Sequence, residues 1–486
     1  MQWLKLLKNR ELVQCGLLID GQWLNGDRET FQVSNPATGE LLANVAKATP
    51  DDLAHSVASS HLAFLEWKKL TTKERSKLLR RWYDLVVANA EDLAIILTLE
   101  QGKPLAEAKG EILYGAAYLE WYSEEARRLD GMLIDSNNPQ QRILVKSEPV
   151  GVCAAITPWN FPNAMLARKV APALAAGCTM IAKPASLTPL SANALAYLAL
   201  AAGIPAGVFN VIHGHSGTIG EFLCHHQSIR KLSFTGSTEV GIWLYQNCAN
   251  SMKKLSLELG GNAPLIVFED ADVDVAVTGI MLSKFRNSGQ TCVCSNRIFV
   301  HRSIKDQLLL RLQKEINNLT VGNGLEAGIS NGPLIDRNAL IHVSSLVADT
   351  LNNGAQLLCG GRALTQTGEL FYAPTLLDCP HDDLRIFKEE IFGPILAVYT
   401  FDSEEEVIEL ANKTPYGLAS YMFSRDIGRI FRVAEALEYG MVGVNSGLIS
   451  AENVPFGGVK MSGLGREGSH AGINEYLNQK YICLNL

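Results

Sequence analysis

The run Asn287-Ser288-Gly289-Gln290-Thr291-Cys292-Val293-Cys294 sets a cysteine in a short polar loop behind an apolar stretch. A thiolate in such a loop is solvated and reachable, which suits covalent attack on an electrophilic carbon better than a thiol inside a strand. The loop by itself leaves two readings open, a nucleophile and a half-buried structural thiol. Glu258 closes an apolar segment, Leu255-Ser256-Leu257, and is followed by Gly260 and Gly261. A carboxylate in that setting needs a partner or a raised pKa, and the glycines leave room for a ligand. General base and core ion pair are the alternatives. In Pro158-Trp159-Asn160-Phe161-Pro162 two prolines stiffen the backbone around an amide side chain. Asn160 is thereby suited to donate to a developing oxyanion, an interaction worth ~2.7–4 kcal/mol; an ordinary turn asparagine is the other reading.

A second group of segments suits a phosphate-bearing ligand. Phe234-Thr235-Gly236-Ser237-Thr238-Glu239-Val240-Gly241 leads from a strand into a helix without matching the GxGxxG spacing. Glycine admits close backbone approach there, and the helix start offers free N–H groups. Ile181-Ala182-Lys183-Pro184-Ala185-Ser186 closes another strand, placing Lys183 at a carboxyl-end loop. An acidic side chain at 186 would bind ribose hydroxyls and repel a ribose phosphate. Ser186 beside a lysine tolerates the phosphate, which favours NADP over NAD.

These segments need a scaffold. To about Pro50 the chain reads as short strands and turns, and from Asp51 to about Arg128 as helices, with Leu78, Leu79, Trp82, Leu85 and Val86 at helical spacing. Short apolar runs at 150–156, 179–182, 208–212, 232–234 and 254–257 then alternate with helical segments near 163–176, 188–202, 216–227 and 237–249. That alternation predicts an α/β fold, a parallel sheet covered by helices. A second α/β series starts at Ala263 and continues to about Asn445.

With 486 residues the chain exceeds a single core, which stops growing at ~250–300 residues. Its 47% apolar and 19% charged residues exclude a disordered chain. A net charge of −7 with no basic block argues against nucleic acid. No apolar run reaches the ~20 residues of a membrane span, so no membrane partner is expected. The ten cysteines lack CxxC and zinc spacing. No metal is expected, and apart from Cys292 and Cys294 they read as buried free thiols of a cytoplasmic protein.

Together the segments resemble the aldehyde dehydrogenase superfamily over nearly the whole chain. Trp159–Pro162, the Lys183 loop, Gly236–Gly241, Glu258–Gly261, Gly289–Cys292, Glu390-Ile391-Phe392-Gly393-Pro394 and Pro455-Phe456-Gly457-Gly458 follow in family order. The resemblance implies a Rossmann-like cofactor domain at 1–125 and 149–260, a catalytic α/β domain at 261–460, and a small β oligomerisation arm at 126–148 and 461–486. A homodimer or homotetramer is implied with it. It also implies a Cys292 thiohemiacetal and thioester, with Asn160 as oxyanion donor and Glu258 activating water. Trp159, Asn160, Lys183, Ser186, Gly236, Ser237, Leu259 and Glu390 match cofactor contacts, and Lys169 stands between a proton relay and a solvated lysine.

Within the superfamily the chain is similar to the NADP-using enzymes acting on succinate semialdehyde, whose carboxylate contacts match Arg168, Arg286 and Ser450. An arginine grips a carboxylate through two parallel hydrogen bonds. Glutarate semialdehyde, one methylene longer, is an alternative worth only ~1–3 kcal/mol of discrimination. Some relatives with a Cys-x-Cys pair close a reversible disulfide, which makes Cys294 a candidate redox partner of Cys292. An inactive binding protein with this fold ranks low because Cys292 and Glu258 are both present. A thiol hydrolase would want a histidine, and the catalytic segments contain none.

Overall fold

Capping residues start the first helices. Thr49 and Asp52 form a reciprocal capping box ahead of Pro50–Trp67, and Thr71 and Glu74 another ahead of Thr72–Ala88. The helices Ala90–Gln101 and Leu105–Glu125 follow, separated by Gly102 at φ 97°, a left-handed turn that glycine enters without a Cβ penalty. The computed structural model describes residues 2–486.

Pro50–Trp67 packs on an eight-stranded sheet whose centre is parallel, and the other three helices pack against the helices Ala164–Ala176 and Pro189–Ala201 that cover it. Lys254–Glu258, Ile229–Thr235, Val152–Ile156, Thr179–Lys183 and Phe209–Val211 lie side by side in that order. Starting at Val152–Ile156, the chain winds outward first in one direction and then in the other. The order therefore reverses between Val152–Ile156 and Ile229–Thr235, where an α/β sheet opens a crevice at its carboxyl ends. The register pairs Thr235 with Glu258 and Ile156 with Lys183. It thereby brings Glu258, Thr235, Lys183 and the start of Pro158–Pro162 to one edge.

A seven-stranded sheet carries the second half, with Ala263–Val267, Ser295–His301 and Ile395–Phe401 as parallel neighbours. Cys292 lies just before Ser295–His301, and Glu390 and Phe392 just before Ile395–Phe401. The amino edge of this sheet thus faces the carboxyl edge of the first.

The arm is an antiparallel sheet of Leu477–Asn485, Gln141–Pro149 and Met132–Ile134. Part of the stretch expected in it belongs elsewhere. Gly463–Leu464 pairs with Leu257 and Glu258 in the eight-stranded sheet, and the helix Ser469–Asn474 packs on Ala164–Ala176. A two-residue strand that is half glycine carries no alternating pattern to betray it. The cysteines differ from expectation at three positions: Cys15 and Cys359 are half-buried, and Cys483 is exposed on the arm. No helix among the described residues is long and apolar enough to cross a membrane.

Candidate functional site

The helix Val273–Phe285 stops at Arg286, and the chain then turns through three consecutive left-handed residues: Asn287 at φ 50°, Ser288 at φ 53° and Gly289 at φ 75°. Left-handed backbone costs a non-glycine residue ~1–3 kcal/mol, so neighbouring groups must hold it. The Asn287 N–H donates to Glu107 (2.8 Å) and the Ser288 hydroxyl to the Gly332 carbonyl (2.9 Å). Asn287 Nδ2 donates to the carbonyls of Asn160 (3.1 Å) and Gln290 (3.2 Å). Gly289 lies where the Gly393 carbonyl would meet any added Cβ.

This anchored loop presents Cys292, half-buried, to a cavity of about 240 Å³. The walls include Trp159, Asn160, Thr235, Gly236, Ser237, Leu259, Gly260, Glu390 and Phe392. Residues from four separate sequence segments therefore converge on one sulfur. Surrounding protein pushes its thiol up to about 12, against the pull of the Arg168 charge. Glu258 is 2% exposed and neither carboxylate oxygen has a hydrogen-bond partner. Its burial, reinforced by the negative charge of Glu467, holds the carboxyl well above the usual range. Asn160 Nδ2 donates to the Gln290 carbonyl at 3.0 Å, so the amide lies beside the thiol loop with a second N–H to give.

On the cofactor side, Ser237 caps the helix Thr238–Cys248 by accepting from Val240 N. Thr235 Oγ1 is buried without a partner. Lys183 is buried and donates to Ser216 Oγ (2.7 Å), and desolvation lowers its ammonium to about 8. Ser186 is half-buried in the loop that follows. Glu390 accepts from the Gly261 N–H (3.2 Å), and burial raises it to about 7. A Cβ at Gly260 would meet Glu390 Oε2, so glycine keeps this approach open. Trp159 and Phe392 meet edge to face, 5.6 Å between centroids.

The two arginines differ. Arg286 is half-buried and forms no ion pair among the described residues; its guanidinium lies 5.2 Å from the Phe161 ring centroid. Arg168, matched from the sequence to a carboxylate contact, already has a carboxylate partner within the protein. It is 1% exposed, ion-paired with Glu467 and stacked on Phe456, and Nη2 has no hydrogen-bond partner. Lys169 is ion-paired with the same carboxylate, which removes its reading as a solvated lysine. The two cations outweigh burial and hold Glu467 below the usual carboxylate range. Ser450 is half-buried and lies outside the lining of the Cys292 cavity. Cys292 and Cys294 are both free thiols; Cys294 Sγ is buried and contacts the Lys284 carbonyl at 3.6 Å.

Glu467, Lys103, Glu107 and Glu111 were not singled out from the sequence, yet the first three touch groups of the site and Glu111 pairs with Lys103. Gly465-Arg466-Glu467-Gly468 offered one signal, a charged pair bracketed by glycines.

Residues 23–482 match the aldehyde dehydrogenase family. The chain is 52% identical to a glutarate-semialdehyde dehydrogenase of Pseudomonas aeruginosa, covering 98% of this chain and 99% of that one. It is 50% identical to a succinate-semialdehyde dehydrogenase [NADP(+)] of Escherichia coli, over 99% of this chain and 100% of the relative. A solved structure described as an E. coli NADP dependent enzyme superposes with a TM-score of 0.98 at 50% identity, covering 99% and 100% of the two chains.

Proposed function

This chain belongs to the aldehyde dehydrogenase family, and from that premise we propose that it oxidises succinate semialdehyde to succinate with NADP. The supporting observation is Cys292, open to a groove whose other walls suit a dinucleotide, with the unpaired Arg286 on the same loop segment. Glutarate semialdehyde is the second reading, favoured by the similarity to the Pseudomonas enzyme.

The residues present fit NADP. Gly236 and the Ser237-capped helix start suit a pyrophosphate, Lys183 and Ser186 suit the ribose phosphate without a repelling carboxylate, and Glu390 suits a ribose hydroxyl. Trp159 and Leu259 complete the wall. When bound, NADP supplies the acceptor for the hydride that leaves the carbon attached to Cys292.

The chain does the rest. Cys292 Sγ passes its proton to solvent and bonds the aldehyde carbon, forming a thiohemiacetal anion. The Asn160 amide and the Cys292 N–H hold its oxygen, and loss of hydride leaves a thioester. Glu258 takes a proton from water as it attacks, releasing the acid and the thiol. Arg286 orients the substrate carboxylate, with Arg168 Nη2 and Ser450 as lesser contacts. The exposed apolar strands of the arm support a homodimer or homotetramer.

The test is a kinetic panel of short aldehydes, with and without a terminal carboxylate, run with NADP and NAD. Acidic semialdehydes with NADP are expected to give the highest kcat/KM. Equal values for acidic and neutral aldehydes would sink the substrate assignment, and no cofactor reduction with any of them would leave the inactive-protein reading.

A further inference from the structure

Lys103 sits just past the left-handed Gly102, between two helices of the first half, and is 2% exposed. Its ammonium has three partners. Nζ donates to Glu111 Oε2 (2.6 Å) and to the backbone carbonyl of Asn160 (2.8 Å), and lies 3.8 Å from the Phe161 ring centroid. Glu111 is equally committed: its other oxygen accepts from the N–H groups of Asn163 (3.0 Å) and Ala164 (3.3 Å), at the start of the helix Ala164–Ala176. The Asn160 carbonyl is therefore a node. It accepts from Lys103 on one side and from Asn287 of the thiol loop on the other.

A buried ion pair gains little stability over packed apolar side chains of the same volume. Stability alone gives no reason to bury Lys103 and Glu111 here. Their geometry gives one, since a transition-state donor must be held to within about half an ångström. We propose that Lys103, clamped by Glu111, is a positioning residue. By fixing the Asn160 carbonyl it aims the Asn160 side chain at the oxygen of the Cys292 adduct. This rests on the reading of Asn160 as the oxyanion donor.

The test measures the pre-steady-state burst of cofactor reduction in the full-length protein, for wild type, Lys103→Met, Asn160→Ala and the double variant. Lys103→Met is expected to lower the burst rate about 10²-fold, the scale of one lost donor. The NADP dissociation constant and the rate of Cys292 alkylation by iodoacetamide should stay within about twofold of wild type, and in the Asn160→Ala background Lys103→Met should add nothing. An unchanged burst overturns the proposal, as do effects that multiply in the double variant. Losses of cofactor affinity and alkylation in proportion to the burst would make Lys103 merely structural. A full burst in Asn160→Ala would instead bring down the oxyanion reading itself. Should Lys103→Met fail to fold, Glu111→Gln loosens the clamp on the Lys103 ammonium without touching the thiol loop, and the same outcomes decide.

Discussion

Burial favours the neutral forms of Cys292 and Glu258, while the proposed reaction uses their charged ones. The folded protein holds the Glu258 proton to higher pH than the unfolded chain does, through desolvation first and the Glu467 charge second. Thioester hydrolysis should therefore rise with pH beyond the ordinary carboxylate range. Glu258→Gln should abolish that limb and lower steady-state turnover by ~10²–10⁴-fold, while a single burst survives; a retained limb would assign it to another group. For stability the sign reverses. The contribution of a raised carboxyl is present in acid and lost as pH climbs, so Glu258→Gln should melt later than wild type near pH ~8 but not near pH ~4. Cys292→Ala should abolish oxidation and keep cofactor affinity, measured by fluorescence titration. Arg286→Ala should flatten the preference for acidic over neutral aldehydes, and an unchanged preference would refute its role.

At the scale of elements, Glu467 joins distant parts of the chain, lying 298 positions from Lys169. Glu467→Gln would leave Arg168 and Lys169 buried with a weakened partner. A cost of ~3–5 kcal/mol is expected, read as a lowered Tm; an unchanged Tm would show that water already reaches the pair. This ion pair also marks where sequence reasoning ran out. Buried parallel strands write short apolar runs, and Thr179–Lys183 and Lys254–Glu258 fall within a residue of the segments read from them. Cys292, Glu258 and Asn160 stood out as candidates because loop, strand and proline context each restrict what a side chain can do. Arg168 and Arg286 offered no such contrast. Arg168 lies inside a helix and Arg286 just past one, and only a carboxylate far along the chain distinguishes a sealed cation from an available one.

At the scale of the molecule, two sheets meet carboxyl edge to amino edge, and the Cys292 cavity occupies the seam. The arm projects an apolar surface, with Met132, Leu133, Ile134, Tyr481 and Leu484 exposed and Leu133 at 74%. The proposed oligomer would use this patch, so Leu133→Asp should shift the mass seen by light scattering toward a smaller species, and an unchanged mass would remove the arm from the interface. The close approach of Gly289 to the Gly393 carbonyl ties the thiol loop to the chain that carries Glu390. Even the smallest added side chain at 289 would wedge the two strips of backbone apart together. An engineer seeking to retune the thiol from that position would displace the Glu390 segment in the same stroke, and the two can be varied independently only from elsewhere.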